Sequence, residues 1–143
     1  MSFKINIGTK EGKTYKVESL AEGLVGKELG NKINGKLVMP ELDGYEFEIT
    51  GLSDKSGFTG MAEVEGIGHK KLLLTYGKGM KKRPRKEGKK KRPNSTPGGL
   101  KLRKKVHGKV ISEDISQINL KSVKDGSKPL SEIFAPKEEE KKE

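Results

Sequence analysis

Apolar and polar residues alternate at the start of the chain. In "FKINI" Phe3, Ile5 and Ile7 take every second position, and Tyr15 and Val17 do the same in "TYKVES". A period of two is that of a half-buried strand. With the turn "GTKEGK" between them, residues 3–19 predict a hairpin. In "SLAEGLVGKELGNKING" the leucines suit a helix, but glycines at 23, 26 and 30 interrupt it, so a turn of helix or a loop is expected. Two further strands are expected at "GKLVM" (35–39) and "GYEFEIT" (44–50), separated by the turn "PELDG". Tyr45, Phe47 and Ile49 share one face of the second strand, which turns Glu46 and Glu48 to water.

"GLSDKSGFTGM" (51–61) reads as a loop of Gly, Ser and Asp. "KKLLLTYG" (70–77) has a continuous apolar centre, as a strand buried on both faces would. "LKLRKKV" extends into another strand, and Ile118 and Leu120 mark a last one, with 110–117 open between strand and turn. "PLSEIF" (129–134) predicts one helical turn, and "APKEEEKKE" is a charged segment expected to be disordered. Short strands, close turn signals and little helix make the chain all-β or mostly β. A small β-barrel-like core or a strongly bent sheet is expected, since closure removes exposed edges.

Charge changes this picture. The 143 residues carry a net charge of +11, unevenly spread. Residues 1–69 hold 8 basic and 11 acidic groups, 70–109 hold 17 and 1, and 110–143 hold 6 and 8. One internal segment therefore carries the whole positive excess. It divides the chain into a β-rich first part (1–77), a basic extended loop (78–109), a return to the same core (110–134) and a charged tail (135–143). Pro84, Pro93, Pro97, Gly98 and Gly99 keep the basic loop out of regular structure, and strand-like neighbours tether both its ends. Like charges keep such a segment extended until an array of phosphates orders it.

The candidate binding residues are Lys81, Lys82, Arg83, Arg85, Lys86, Lys89, Lys90, Lys91, Arg92, Lys101, Arg103, Lys104 and Lys105. Most are lysines, which act as point charges on phosphate, and the run has no aromatic to stack on bases. Such contacts position a nucleic-acid backbone and leave recognition to its shape. From these residues alone three readings stay open. They are an RNA-bound structural protein, a free-standing nucleic-acid chaperone or DNA-binding protein, and an adaptor for an acidic protein or anionic membrane.

Other chemistry finds little support. "GTKEGKT" (8–14) resembles a phosphate-binding loop but is one residue short between its glycines and runs into a strand rather than a helix, so a hairpin turn is expected. With no Cys, disulfides and thiolate metal sites are excluded. His69 and His107 sit among lysines without acidic residues at ligand spacing, so each is expected to be an ordinary histidine or an RNA contact rather than a metal ligand. No constellation for an enzyme, cofactor or small-molecule substrate is present. "MSFKINIGTK" lacks the apolar core of a signal peptide and no run suits a membrane span, so a soluble, intracellular protein is expected.

Four stretches, "GYEFEITGLSDKSGF", "GHKKLLLTYGKG", "KKRPRKEGKKKRP" and "KKVHGKVISEDISQINLKSVKDG", stand in the order of the archaeal and eukaryotic small-subunit ribosomal protein family S-six-e (S6e), which the chain resembles over roughly residues 1–130. The resemblance implies a non-enzymatic constituent of the small ribosomal subunit, in the cytoplasm, with a β-rich core on ribosomal RNA and other ribosomal proteins as neighbours. Two positions depart from the family pattern: Thr59-Gly60 stand between Phe58 and Met61, and His107 stands where an arginine is usual before Gly108. The phosphorylated helical extension of eukaryotic members is not found here, and the short form is similar to the archaeal one.

Overall fold

The computed structural model describes residues 2–83, 96 and 98–134. Strands β1 (Phe3–Gly8), β2 (Thr14–Ser19), β3 (Lys32–Asn34), β4 (Glu46–Asp54) and β7 (Ile115–Lys124) form one mixed sheet in the order β2-β1-β7-β4-β3. Strands β5 (His69–Leu74) and β6 (Leu102–His107) form a separate antiparallel ribbon. Three 3-10 turns, at 22–24, 35–37 and 40–42, and one short helix, α1 (Leu130–Phe134), complete the described elements.

The alternating pattern of β1 and β2 does what period two requires. Phe3, Ile5, Ile7 and Val17 are buried while Lys4, Lys16 and Glu18 are exposed. The expected hairpin 3–19 is present, and "GTKEGK" is its turn: Thr9 N–H donates to the Lys13 carbonyl at 2.9 Å, and Gly12 takes φ +86°. β7 lies between the two halves of the sheet, parallel to β1 and antiparallel to β4. Its register aligns Ile5 with Ile118 and Leu52, and Ile7 with Leu120 and Ile49, in continuous apolar rows. Leu24, Val38, Leu42, Ile111, Leu130 and Phe134 join these rows in one core. The other face is polar, with Lys32, Glu48 and Lys121 in register, and Asn6 donating to Asn119 Oδ1 at 3.2 Å.

Four expectations are corrected. The sheet is not a closed barrel: β2 and β3 are its two edges and do not pair. The 3-10 turns and α1 cover the core instead, and three-residue β3 and charged β2 are poor templates for further pairing. Residues 35–39 are not a strand. The Asn34 side chain accepts from Lys36 N–H, and a Cβ on Gly35 would stand 2.2 Å from the Leu42 carbonyl oxygen, so the chain folds tightly there. The strand before it is Lys32–Asn34, which the glycines of that region hid. Residues 51–54 are not loop but the end of β4, which follows β7 through three register shifts. Finally, the leucines of β5 are not buried on both faces: Leu74 is buried, Leu72 partly, and Leu73 is 59% exposed. Two strands alone leave one face to solvent.

Candidate nucleic-acid interface

The β5–β6 ribbon is the folded root of the basic run. In an antiparallel pair, directly opposite residues share a face. Leu72, Leu74, Leu102 and Val106 fall on the inner face, where they meet Met61, Val64, Met80 and Leu100 in a second apolar cluster. Lys71 opposes Lys105 and Leu73 opposes Arg103 on the outer face, and all four are exposed. Lys70 and Lys104 are exposed as well. Neither strand contains an acidic residue.

The run leaves β5 through a tight reversal. Gly77 and Met80 exchange backbone hydrogen bonds, Gly79 takes φ +82°, and Met80 is buried in the second cluster. Arg83 then turns back onto Tyr76, donating to its hydroxyl at 3.0 Å with the guanidinium 5.4 Å from the ring centroid. At the other end Leu100 and Leu102 rejoin the same cluster. Both ends of the basic segment are thus anchored in one apolar cluster.

Of the thirteen candidate residues, seven lie among the described ones. Lys81, Lys82 and Arg83 follow the reversal, Lys101 precedes β6, and Arg103, Lys104 and Lys105 are on it. All are exposed except Arg83, which is partly so. Arg85, Lys86, Lys89, Lys90, Lys91 and Arg92 lie outside the described residues, as does the tail 135–143. The strand expected from "LKLRKKV" is present as β6, so the last part of 78–109 belongs to the ribbon. Residues 102–107 are strand because they pair with β5, and the prolines and the Gly98-Gly99 pair of the run all lie before them. Lys70, Lys71 and Phe58 escaped the sequence reading. The charge count did include both lysines, but only the strand register brings Lys71 beside Lys105.

One end of the ribbon is braced against the main sheet. Asp54, buried at the end of β4, accepts from His69 Nε2 at 2.5 Å. Phe58 meets the His69 ring edge-on at 5.0 Å, and Lys105 Nζ stands 5.3 Å from the Phe58 centroid. His107 is fully buried, which puts it out of reach of a phosphate, and its Nδ1 donates to the Gly108 carbonyl at 2.9 Å. His69 contacts the His107 ring edge-on at 5.5 Å. Among the described residues no group of three or more His, Cys, Asp or Glu could hold a metal ion, and no helix is long and apolar enough to cross a membrane.

Burial alone would raise the Asp54 carboxyl. The His69 hydrogen bond and the backbone N–H groups of Ser56 and Lys55 outweigh it, so the group titrates below the usual aspartate range. A depressed folded-state pKa means a stabilisation that is full above about pH 4, where an unfolded aspartate is ionised, and lost as pH falls through the folded value. Thermal melts of the wild type and Asp54→Asn should therefore differ most above pH 4 and converge on acidification. A constant difference would show that the carboxylate charge is not what holds this brace.

Set beside known proteins, the chain matches the family model for ribosomal protein S6e over residues 3–135. "Small ribosomal subunit protein eS6" of Archaeoglobus fulgidus is 41% identical over 145 aligned positions, covering 97% of this chain and all of the relative. The protein of the same name from Methanococcus maripaludis is 38% identical over 131 positions, 91% of this chain and 94% of that one. That of Thermoplasma acidophilum is 40% identical over 126 positions, 86% and 89%. A match across the main sheet, the ribbon and the basic run together leaves one conclusion: the chain belongs to the ribosomal protein S6e family.

Proposed function

We propose that the chain is a constituent of the small ribosomal subunit, held on ribosomal RNA by phosphate contacts from its basic run and ribbon, beside other ribosomal proteins. Membership in a family of ribosomal proteins makes it a non-enzymatic protein of the cytoplasmic ribosome. The observation that carries the RNA reading is the segregation of charge. Five cations stand on a ribbon without an acidic residue, and fifteen Lys or Arg between 78 and 109 face one acidic residue. Regular dense negative charge is the partner such a surface fits, and RNA backbone supplies it. The names of the relatives support the small subunit as the place.

Each phosphate neutralised contributes about −0.7 to −0.9 to the slope of log affinity against log salt, so six contacts would give a slope of roughly −4 to −5. The test combines that slope on small-subunit ribosomal RNA with co-sedimentation. The protein should stay with the small subunit through a moderate-salt wash. Salt-insensitive binding, or equal affinity for duplex DNA with no protein in the subunit fraction, would sink the reading and favour a free-standing nucleic-acid binder.

A further inference from the structure

The ribbon's outer face poses a physical puzzle. Lys71 and Lys105 are directly opposite in register, and like charges so placed destabilise a strand pair. Among the described residues no carboxylate pairs with either of them, and Arg103 stands two positions along on the same face. The one buried carboxylate nearby, Asp54, is engaged by His69. The face is also rigidly backed. Leu72, Leu74, Leu102 and Val106 fix it from beneath, and Phe58 holds the Lys105 ammonium against its ring, with the Asp54–His69 pair behind it. Leu73 stands exposed in the midst of the cations, an apolar spot that a ribose or base can cover.

A charge cluster that costs stability in the free protein, on a surface ordered in advance, fits an anion that enters between its members. We propose that the outer face of the β5–β6 ribbon is a preformed RNA-backbone site, in which Lys71 and Lys105 close on one phosphate and Arg103 takes a neighbouring one. Residues i and i+2 of a strand are about 6.7 Å apart, which suits Arg103 and Lys105 to successive phosphates of one strand. The site deepens the RNA reading above and rests on it. It differs in placing an RNA contact at Lys71, ahead of the basic run, and in needing no ordering of the run to form.

The test uses the full chain and purified archaeal small-subunit ribosomal RNA, with Lys71→Ala, Lys105→Ala, the double variant, Lys81→Ala/Lys82→Ala, and Lys16→Ala on exposed β2 as the control. Lys71→Ala should weaken binding several-fold and flatten the salt slope by about 1. The double variant should lose less than the sum of the singles, because both lysines serve one phosphate. In the absence of RNA the melting temperature of Lys71→Ala should equal or exceed that of the wild type, since a repulsion is removed. This pairing of weaker binding with undiminished stability is not what a structural lysine would give. Lys71→Ala binding like Lys16→Ala overturns the proposal, and strict additivity overturns the shared phosphate. If Lys81→Ala/Lys82→Ala then still weakens binding, the RNA reading stands without this site. If it too binds as the wild type and the salt slope is flat, that reading falls as well.

Discussion

Gly108→Ala should destabilise the protein by at least about 3 kcal/mol, beyond the usual cost of one added methyl in a tight site. A Cβ built on Gly108 stands 2.0 Å from the Gly66 carbonyl oxygen and 2.7 Å from the Gly66 carbonyl carbon. Both obstacles are backbone, so no rotamer change relieves the clash. Nor can the two segments part cheaply. Gly108 N–H donates to the Gly68 carbonyl at 2.8 Å, and Lys109 N–H to that of Val64 at 2.9 Å. Gly108 also stands where β6 leaves the ribbon for the main core, directly after His107. The substitution should therefore loosen the ribbon from the sheet as well as lower the midpoint of urea unfolding. A wild-type midpoint for Gly108→Ala would mean that the 66–68 segment does not lie against it.

Phe47→Ala should cost about 3–5 kcal/mol, the range for removing a buried aromatic. Phe47 is fully buried on β4, stacks on Tyr45 at 5.7 Å, and is in register with Ile33 and Ser122. The chain has only seven aromatic residues and no Trp, so few other side chains can fill the space. Against a total stability of about 5–15 kcal/mol for a domain, that loss is a large fraction. Phe47→Leu, closer in volume, should retain more stability, and Leu73→Ala, on the exposed ribbon face, should lie within about 0.5 kcal/mol of the wild type. Urea midpoints of the three variants order them; equal midpoints for Phe47→Ala and Leu73→Ala would contradict the packing described.

Local chemistry was legible where it decided the structure locally. The hairpin of β1 and β2 follows from alternation and a glycine turn, and the alternation of Tyr45, Phe47 and Ile49 marks the start of β4. The same local logic rightly set aside "GTKEGKT" as a turn. It failed where distant partners decide. Gly51, Ser53 and Asp54 look like loop residues, yet β7 holds them in strand. "GKLVM" has strand-like residues, but the contact of Gly35 with Leu42 forces a 3-10 turn. A continuous apolar run such as Leu72–Leu74 does not reveal how many layers will cover it, and among the described residues none covers Leu73. The binding region was legible as charge density along the chain. Lys71 and Phe58 were not, because strand register and a loop that folds back bring them to Lys105.

The position of β7 has a consequence for the order of events as the chain is made. Its neighbours, β1 and β4, come earlier in the chain, and it is the strand that joins the β1–β2 pair to the β3–β4 pair. Until it emerges from the ribosome, those are two separate two-stranded pieces, a size that is marginal in water. The whole basic run is synthesised before β7, so the most highly charged part of the protein exists while the sheet is still in two halves. Joining strands more than a hundred residues apart is slow compared with local pairing. For that interval the nascent protein presents unpaired strand edges together with a chain of cations, and RNA or a chaperone that shields either has the most to act on then.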